Sequence, residues 1–516
     1  MSASTQKKNR IAAREAGTDK KLLAQQEEAS KKQASKRRWT IGTIAVAVLI
    51  VLIILLNSNL LYTSTTAATV GEYKFSPAEV NYCLATQYSN FVQSNSDYVS
   101  LFFDTSKGVK GLADQECTLL GDGSSWRDYF MQMALNQLRE ISSLVDYANE
   151  QGITLTEDEQ AAVRSQIDSF GIYANVYGFA DADHFLSAQY GDGVTVKTVE
   201  KLMLDSALAD KAAVAYTDSL SYSDEELESY YSENKDSMDR FDYAYYLVSA
   251  ETVEVAGEDG TTTNETTEET KAAAKATAEA IVAAYAEAEG ESMTERLTAA
   301  VRTQVAEGEA REVLDAAGSS LGTYADYLTD AARQPGDVST VEGTNGCFVV
   351  LFMGRNDNHY RTVSARHILV KAVAEADGSY TDEAKAEALA KIESIKAEFD
   401  AGDKSEESFI ALVESYSEDA GSVANGGLYE EIYKGQMVSE FNDFCFGGHK
   451  AGDMAIVYGE NGGYAGYHLV YFVGENDLYS SVLARDALIS TAAGEWQEAR
   501  LENYPAATAF WSKLVA

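Results

Sequence analysis

The sequence predicts an α+β multidomain protein with an N-terminal transmembrane helix, a helical domain and two similar α+β domains, the first of them degenerate. Three observations predict this class. Residues 39–61 contain no charged residue, residues 62–239 carry helical periodicity and capping residues, and the order of elements after residue 240 recurs about 120 positions later. A chain of 516 residues is also too long for a single hydrophobic core.

The N-terminal tail, residues 1–38, is basic, whereas the rest of the chain is strongly acidic. The tail holds eleven basic and four acidic residues, a net charge of +7, so the remainder of a chain with net charge −40 carries −47. An acidic body of this size repels phosphate backbones, and no nucleic-acid partner is therefore expected. Solubility and weak self-association explain the charge, and recruitment of basic clients is the alternative.

Residues 39–61 are predicted to form the transmembrane helix. At 1.5 Å per residue this run is long enough to cross a hydrocarbon core of about 30 Å. Arg37 and Arg38 precede the run and the first lysine after it is Lys74, so the positive-inside rule places the tail in the cytoplasm and the body outside. The expected location is the cell membrane, with a single pass. A cleavable signal peptide is the alternative, but the tail is long for one and no small-residue cleavage site follows closely.

The domain at residues 62–239 is predicted to be mostly helical. Between Ser125 and Gly152 an N-cap serine, apolar residues at helical spacing and a terminating glycine predict one long helix. Two further capping boxes predict helix starts. They are Thr156 with Glu159 and Ser223 with Glu226.

The four cysteines are too few and too scattered to predict a zinc site or a disulfide scaffold. Cys83 and Cys117 either pair outside the cell or remain buried thiols. No metal ion and no cofactor is predicted.

From residue 240 the chain predicts the same series of elements twice, namely a strand, a loop, two helices, and then strand, turn and strand. The first copy covers residues 240–358 and the second covers 359–477. Their closing segments read FVVLFMGRND from residue 348 and HLVYFVGEND from residue 468, which is an offset of 120. Leu247 and Leu369, in the opening strands, are offset by 122. Near-equal offsets at both ends predict a duplicated domain. Residues 251–270 are predicted to be an acidic loop.

Four motifs in the second copy carry a resemblance to a known family. They are ARHILVK, YSEDAGSVANGG, KGQMVSEF and GYHLVYF, in this order. In order and spacing they resemble the PpiC-type parvulins, a family of peptidyl-prolyl cis-trans isomerases. The resemblance implies a four-stranded antiparallel sheet with helices, rotation about X-Pro bonds without a cofactor, and polypeptide substrates.

The resemblance also implies a set of site residues. Its polar wall is His367, Asp419 and His468, the catalytic residues, and its proline pocket is Leu428, Met437 and Phe441. Met437 and Phe441 lie four residues apart and are expected to share one side of a helical turn. The alternatives are plain core packing for these two and an ordinary loop acid for Asp419.

Two departures from the family pattern affect this set. GGLYE stands where the family has GGDLG, so the pocket contact belongs to Leu428 or to Tyr429. The longer loop GENGGYAG precedes the last strand, so the small hydroxyl residues that the family has near its second histidine lack a counterpart. In the first copy Tyr245 aligns with His367 and Phe348 with His468. That copy is expected to fold but not to isomerise.

The helical domain, residues 62–239, resembles the N-terminal chaperone module of PrsA- and SurA-type foldases. Residues 478–516 are expected to form a helix that packs back on this module. The predicted function is that of a membrane-anchored isomerase and chaperone acting on unfolded or partly folded exported polypeptides. One alternative is a non-catalytic holdase or scaffold that uses the parvulin folds only for client binding. Another is an envelope scaffold or receptor that uses its cytoplasmic tail.

Overall fold

The computed structural model describes residues 2–17, 20–57, 59–256 and 262–515. Contacts divide the chain into two compact units. The first unit is Met1–Leu220 together with Ala492–Ala516, and the second is Ser221–Thr491. Helices and antiparallel sheets are both present, so the α+β class with a helical region is confirmed.

The chain up to residue 220 is mainly helical. Its helices are α1 (Ala3–Glu15), α2 (Lys20–Asn57), α3 (Leu60–Ser64), α4 (Pro77–Ser94), α5 (Trp126–Gln151), α6 (Glu157–Val176), α7 (Ala182–Tyr190) and α8 (Val196–Ser219). Its strands are β1 (Ala68–Val70) and β2 (Tyr73–Phe75), and short 3₁₀ turns lie at Val99–Leu101, Thr105–Lys107 and Val109–Asp114.

The predicted transmembrane run, residues 39–61, falls on α2 and α3. Among the described residues, no helix combines the length and the apolar character needed to cross a membrane. The run also includes residue 58 and the side chains of residues 51–57, which lie outside the described part of the chain.

Local sequence determines where the long helix α5 begins and ends. Ser125 accepts a hydrogen bond from the Asp128 backbone N–H, and the Asp128 carboxylate accepts one from the Ser125 backbone N–H. Gly152, in the left-handed conformation with φ of 69°, ends the helix. The predicted helix is therefore confirmed. The capping boxes at Thr156 and Ser223 are confirmed as well.

The elements beyond residue 220 follow two similar series. The first series is α9 (Asp224–Met238), β3 (Arg240–Ser249), β4 (Thr252–Ala256), β5 (Thr262–Thr266), α10 (Glu268–Tyr285), α11 (Met293–Arg302), β6 (Arg311–Ala317), α12 (Ala325–Leu328), β7 (Val338–Gly343) and β8 (Gly346–Asn356). The second series is β9 (Arg361–Lys371), α13 (Asp382–Ala401), α14 (Glu406–Tyr416), β10 (Leu428–Ile432), α15 (Ser439–Cys445), β11 (Met454–Asn461) and β12 (Tyr464–Leu478). It is followed by α16 (Tyr479–Leu501) and β13 (Ala506–Thr508).

The two copies have sheets of the same topology and register. The first sheet has the strand order β6-β3-β8-β7 and the second β10-β9-β12-β11, with antiparallel neighbours throughout. Leu247 opposes Phe348 in the first sheet, as Leu369 opposes His468 in the second. The duplication predicted from the offsets is thus confirmed in three dimensions.

Each sheet packs its two longer helices, α10 and α11 in the first copy and α13 and α14 in the second, against one face. In the first copy the shared core includes Ala278 and Ile281 of α10 and Leu351 of β8. In the second it includes Ile392 of α13 and Ile368 of β9. The opposite face of the second sheet packs against the short helix α15, through Ala365 of β9 and Phe472 of β12.

The acidic segment 251–270 differs from its prediction. Strands β4 and β5 pair antiparallel with each other on either side of residues 257–261, so the plain loop was wrong for these residues. Thr252, Val253 and Val255 are β-branched and favour extended backbone, a signal that the low-complexity composition concealed. Residues 257–261 lie outside the described part of the chain.

Helix α9 lies in the second unit, although residues 62–239 were expected to form one helical domain. Its Leu227 and Tyr231 are buried with Ala484 of α16. The difference arises because the sequence shows that α9 has an apolar face but does not show which part of the chain that face packs against.

Residues 492–516 lie in the first unit. There Trp496 stacks on Tyr216 of α8, with ring centroids 3.9 Å apart and an interplanar angle of 8°. Strand β13 extends the small sheet in the order β13-β1-β2. All four cysteines are buried and free, including Cys83 and Cys117 in this unit.

Candidate active site

Two histidines lie side by side on the face of the second sheet opposite α13 and α14. His468 of β12 opposes Leu369, and His367 of β9 opposes Val470, so the two imidazoles are diagonal neighbours on one face. Their rings are nearly parallel, at 17°, with centroids 5.1 Å apart. The two Nδ1 atoms are 2.9 Å apart, and each residue is 4% exposed. The sheet thus brings together residues separated by 101 positions.

Asp419 reaches the same site from the loop that follows α14. The Glu418 backbone N–H donates to the Leu369 carbonyl at 2.9 Å and fastens this loop to β9. The Asp419 Oδ2 atom lies 2.8 Å from His367 Nε2. Ser422 Oγ donates to the same carboxylate oxygen at 2.6 Å. The carboxylate therefore ends a row of hydrogen-bonded groups that crosses the sheet.

Gly427, in the motif SVANGG, allows the Asp419 loop to lie against β9. Its carbonyl accepts a hydrogen bond from the His367 backbone N–H at 2.9 Å, and its φ is +73°. A Cβ atom at this position would lie 2.5 Å from the His367 carbonyl oxygen. Both the left-handed backbone and the close approach require glycine here.

The apolar side of the site comes from α15 and the residues before it. Phe441 is 2% exposed, and its ring centroid lies 5.6 Å from each imidazole centroid. Met437 packs in the same cluster, together with Val457 of β11. However, α15 begins at Ser439, so Met437 precedes it and the predicted shared helical turn was wrong.

The structure does not bring Leu428 to the site. On β10 Leu428 opposes Arg366 and Tyr429 opposes Ala365, and directly opposed residues share a face of the sheet. Arg366 is bonded to Glu406 of α14, so Leu428 lies on the helix-covered face. Tyr429 faces the histidines instead, and its hydroxyl donates to Asp419 Oδ2 at 3.1 Å. Of the two candidates, Tyr429 is thus the one that lies at the histidines.

Burial and hydrogen bonding set the charges of the site. Burial lowers the pKa of His468 to about 3, and the neighbouring His367 acts in the same direction, so His468 is uncharged near neutral pH. The hydrogen bond from His367 holds the pKa of Asp419 well below its usual range, and Ser422 and Tyr429 reinforce the effect. An ionised carboxylate thus lies at one end of the row and an uncharged imidazole at the other.

A tyrosine hydroxyl completes the row beyond His468. The Tyr464 hydroxyl lies 2.8 Å from His468 Nε2. When both imidazoles are uncharged, one placement of hydrogens satisfies every contact. In that placement Tyr464 donates to His468 Nε2, His468 Nδ1–H donates to His367 Nδ1, and His367 Nε2–H donates to Asp419.

Sequence reasoning missed two members of the row, Ser422 and Tyr464. Tyr464 precedes His468 by four residues on a strand, and this even spacing places both on one face. Ser422 follows Asp419 by three residues in the same loop. Within the described ranges, no group of three histidine, cysteine or acidic side chains is arranged to hold a metal ion.

The first copy has aromatic rings where the second has imidazoles. By register, Tyr245 occupies the position of His367, and Phe348 the position of His468. Tyr324 lies over both of them, at 5.4 Å from the Tyr245 ring and 5.2 Å from the Phe348 ring. This face of the first sheet is thus an aromatic cluster.

Comparison with known proteins assigns a family to the second copy. Residues 349–476 match the PPIC-type PPIASE domain family. Chaperone SurA of Alkalilimnicola ehrlichii is 37% identical over 117 residues, which is 22% of this chain and 24% of that protein. The chain thus spans about a quarter of the length of this curated relative.

Two solved structures are also similar to part of the chain. The PPIase domain of TbPar42 is 24% identical, with a TM-score of 0.17, over 22% of this chain and 98% of that one. The peptidylprolyl isomerase PrsA of Bacillus anthracis is 22% identical, with a TM-score of 0.18, over 28% of this chain and 59% of that one.

The family match confirms the predicted enzyme class for one domain. The match at residues 349–476 begins in β8 of the first copy and covers all but the last residue of the second copy, which is therefore a PPIC-type PPIase domain, that is, a peptidyl-prolyl cis-trans isomerase domain of the parvulin type. All members of the hydrogen-bonded row fall within this range.

Proposed function

We propose that this protein is a peptidyl-prolyl cis-trans isomerase and chaperone that assists the folding of exported polypeptides outside the cytoplasmic membrane. The observation that supports the isomerase activity is the row of Asp419, His367 and His468 beside the apolar wall of Phe441. A proline ring would pack on that wall, and the amide before it would face the row.

The reaction needs a polar environment rather than a nucleophile. Rotation about an X-Pro bond removes amide resonance, at a barrier of roughly 18 to 20 kcal/mol. As the amide twists, its carbonyl oxygen loses negative charge. A negative wall beside that oxygen destabilises the planar amide more than the twisted one, which lowers the barrier. The ionised Asp419 supplies such a field, and the buried histidines hold it at a fixed distance.

The test is the isomerisation rate of a proline tetrapeptide with the full chain. The wild type should accelerate the reaction above its spontaneous rate. His367→Ala removes the link between Asp419 and His468 and should lower the rate by at least about tenfold. Met437→Ala should lower it as well, through the loss of apolar contact. Tyr245→Ala, at the equivalent position of the first copy, should leave it unchanged. No acceleration by the wild type would instead support the non-catalytic holdase.

The chaperone activity is proposed to reside in the helical unit. Four apolar residues around the end of α6 are between 46% and 71% exposed. They are Ile172, Tyr173, Val176 and Tyr177. A contiguous exposed apolar surface of this kind suits unfolded polypeptide segments. The Val176→Asp variant should suppress the aggregation of client proteins less well than the wild type, with an unchanged isomerisation rate. Equal suppression of aggregation by the variant and the wild type would refute this assignment.

The membrane anchor remains part of the proposal. Its support is the uncharged run at residues 39–61, with Arg37 and Arg38 before it. The proposed location is the cell membrane, with a single pass, the tail in the cytoplasm and the acidic body outside. In fractionated cells the chain should follow the membrane after alkaline washing, and protease added from outside should digest the body. Recovery in the soluble fraction would contradict the anchor.

A further inference from the structure

The hairpin of β11 and β12 presents one side chain to the active site that neither the family match nor the motifs single out. Tyr464 is the first residue of β12 and pairs with Asn461 across the turn. It shares a face of the sheet with Gly466 and His468. Its hydroxyl lies 2.8 Å from His468 Nε2, at the end of the row opposite Asp419.

Four residues along a strand span about 13 Å, so the tyrosine ring must lie along the sheet surface to reach His468. Two directly opposed glycines, Gly459 and Gly466, occupy the surface between them. A Cβ atom on Gly459 would lie 2.8 Å from His468 Nε2, 3.0 Å from the Tyr464 hydroxyl and 3.0 Å from a methyl group of Val438. The contact between the hydroxyl and the imidazole thus exists because residue 459 has no side chain.

We propose that Tyr464 is a positioning residue of the isomerase site, reaching across the gap at Gly459 to hold His468 in the tautomer that carries its hydrogen on Nδ1. This inference rests on the proposed isomerase function. In that tautomer His468 donates to His367, which donates to Asp419.

Without the hydroxyl, His468 Nε2 loses its hydrogen-bond donor. The ring hydrogen can then move to Nε2, and the two Nδ1 atoms, 2.9 Å apart, are left without a hydrogen between them unless His367 gains one on Nδ1, either by becoming charged or by giving up its donation from Nε2 to Asp419. Either change alters the field that the wall presents to the amide. Tyr464 therefore acts on the reaction through His468 and need not contact the substrate.

The test combines isomerisation kinetics with nitrogen NMR of the full chain labelled in its five histidines. In the wild type the His468 signals, assigned with a His468→Phe chain, should show the Nδ1–H tautomer. Tyr464→Phe should raise the share of the Nε2–H tautomer. It should also lower kcat by roughly threefold to tenfold, the scale of one neutral hydrogen bond, with little change in KM. Gly459→Ala should have the same two effects because it displaces the hydroxyl and the imidazole.

Matched controls lie in the same hairpin. Tyr458→Phe removes a hydroxyl that bonds Glu460 on the helix-covered face, and Gly462→Ala adds a Cβ with no atom within 4 Å. Both should behave as the wild type. The proposal is overturned if Tyr464→Phe changes only one of the two readouts or neither, or if wild-type His468 already carries its hydrogen on Nε2. A wild type without isomerase activity would refute the proposed function, whereas the tautomer would still be measured.

Discussion

At the scale of single residues, the two buried histidines are costly to accommodate. Burial of an imidazole destabilises the folded protein unless both ring nitrogens have hydrogen-bond partners. In the second copy all four ring nitrogens have one, from Asp419, from the other histidine and from Tyr464. In the first copy Tyr245 and Phe348 fill the same positions through ring contacts. Since aromatic rings fill these positions there, packing alone does not require histidines at the equivalent positions of the second copy.

The charges of the site predict that the second copy loses stability in acid. The pKa of His468 is lowered to about 3 in the folded chain, against about 6.5 in an unfolded one. Between these values the unfolded state binds more protons, so stability falls as pH decreases from about 6.5 towards 3. The lowered pKa of Asp419 acts in the same direction below about 4.

Hydrogen exchange at the backbone amides of β12 should measure this loss. Protection in the wild type should decrease between pH 7 and pH 4.5, after correction for intrinsic exchange. In His468→Phe, which has the residue of the first copy, protection should decrease less. Parallel pH dependence in the two chains would show that His468 does not contribute.

Some residues of the site could be predicted from the sequence, whereas the choice between Leu428 and Tyr429 could not. His367, Asp419 and His468 are visible in motifs, and the structure brings all three together. Leu428 could not be rejected from sequence, because a shift of one residue in strand register moves a side chain to the other face. Only the pairing of β10 with β9 shows that Tyr429, and not Leu428, faces the histidines.

At the scale of elements, the close contact of Gly427 with β9 is expected to hold the loop after α14 in place. Gly427→Ala introduces a Cβ into left-handed backbone and 2.5 Å from the His367 carbonyl oxygen. We expect the second copy to lose about 2 kcal/mol or more, together with isomerase activity, because the loop that carries Asp419 must move. Exchange protection of the β9 amides and the isomerisation rate measure the two effects.

Gly448→Ala separates backbone strain from the steric clash. Gly448 has a φ of +79°, and a Cβ there would meet no atom within 4 Å. The Gly448→Ala variant should lose about 1 to 2 kcal/mol of folding stability, the cost of alanine in left-handed backbone. It should keep its isomerase activity. Equal activity loss in both variants would contradict the proposed role of the Gly427 contact.

The elements that the sequence predicted are those with local signals. Helix α5 has a capping box at one end and a glycine at the other, both within a few residues of the boundary. Strands β10 and β13 have three to five residues each and were not separately identified. Their pairing depends on partners far along the chain, β9 for β10 and β1 for β13, and a local pattern does not contain that information.

At the scale of the whole molecule, the first unit is assembled from two distant stretches of chain. Strand β13 pairs with β1, and Val515 is buried in the same core as Trp126. Arginines of α5 fasten the later stretch through its backbone. Arg127 donates to the Ser512 and Val515 carbonyls, and Arg139 donates to the Leu501 and Tyr504 carbonyls. The core formed by residues before 221 is therefore incomplete without residues 502–515.

This arrangement predicts that removal of residues 502–516 destabilises the first unit while the second keeps its activity. The loss of β13 uncovers one edge of β1, and the loss of Val515 opens the core around Trp126, which is fully buried. The tryptophan emission of the shortened chain should shift to longer wavelength, and its melting temperature followed by that emission should fall. All four tryptophans, at positions 39, 126, 496 and 511, lie in the first unit, so the signal reports on that unit alone. Because truncation also removes Trp511, the reference is a full-length Trp511→Phe chain. An emission maximum and melting temperature equal to those of the reference would show that the first unit folds without the later stretch.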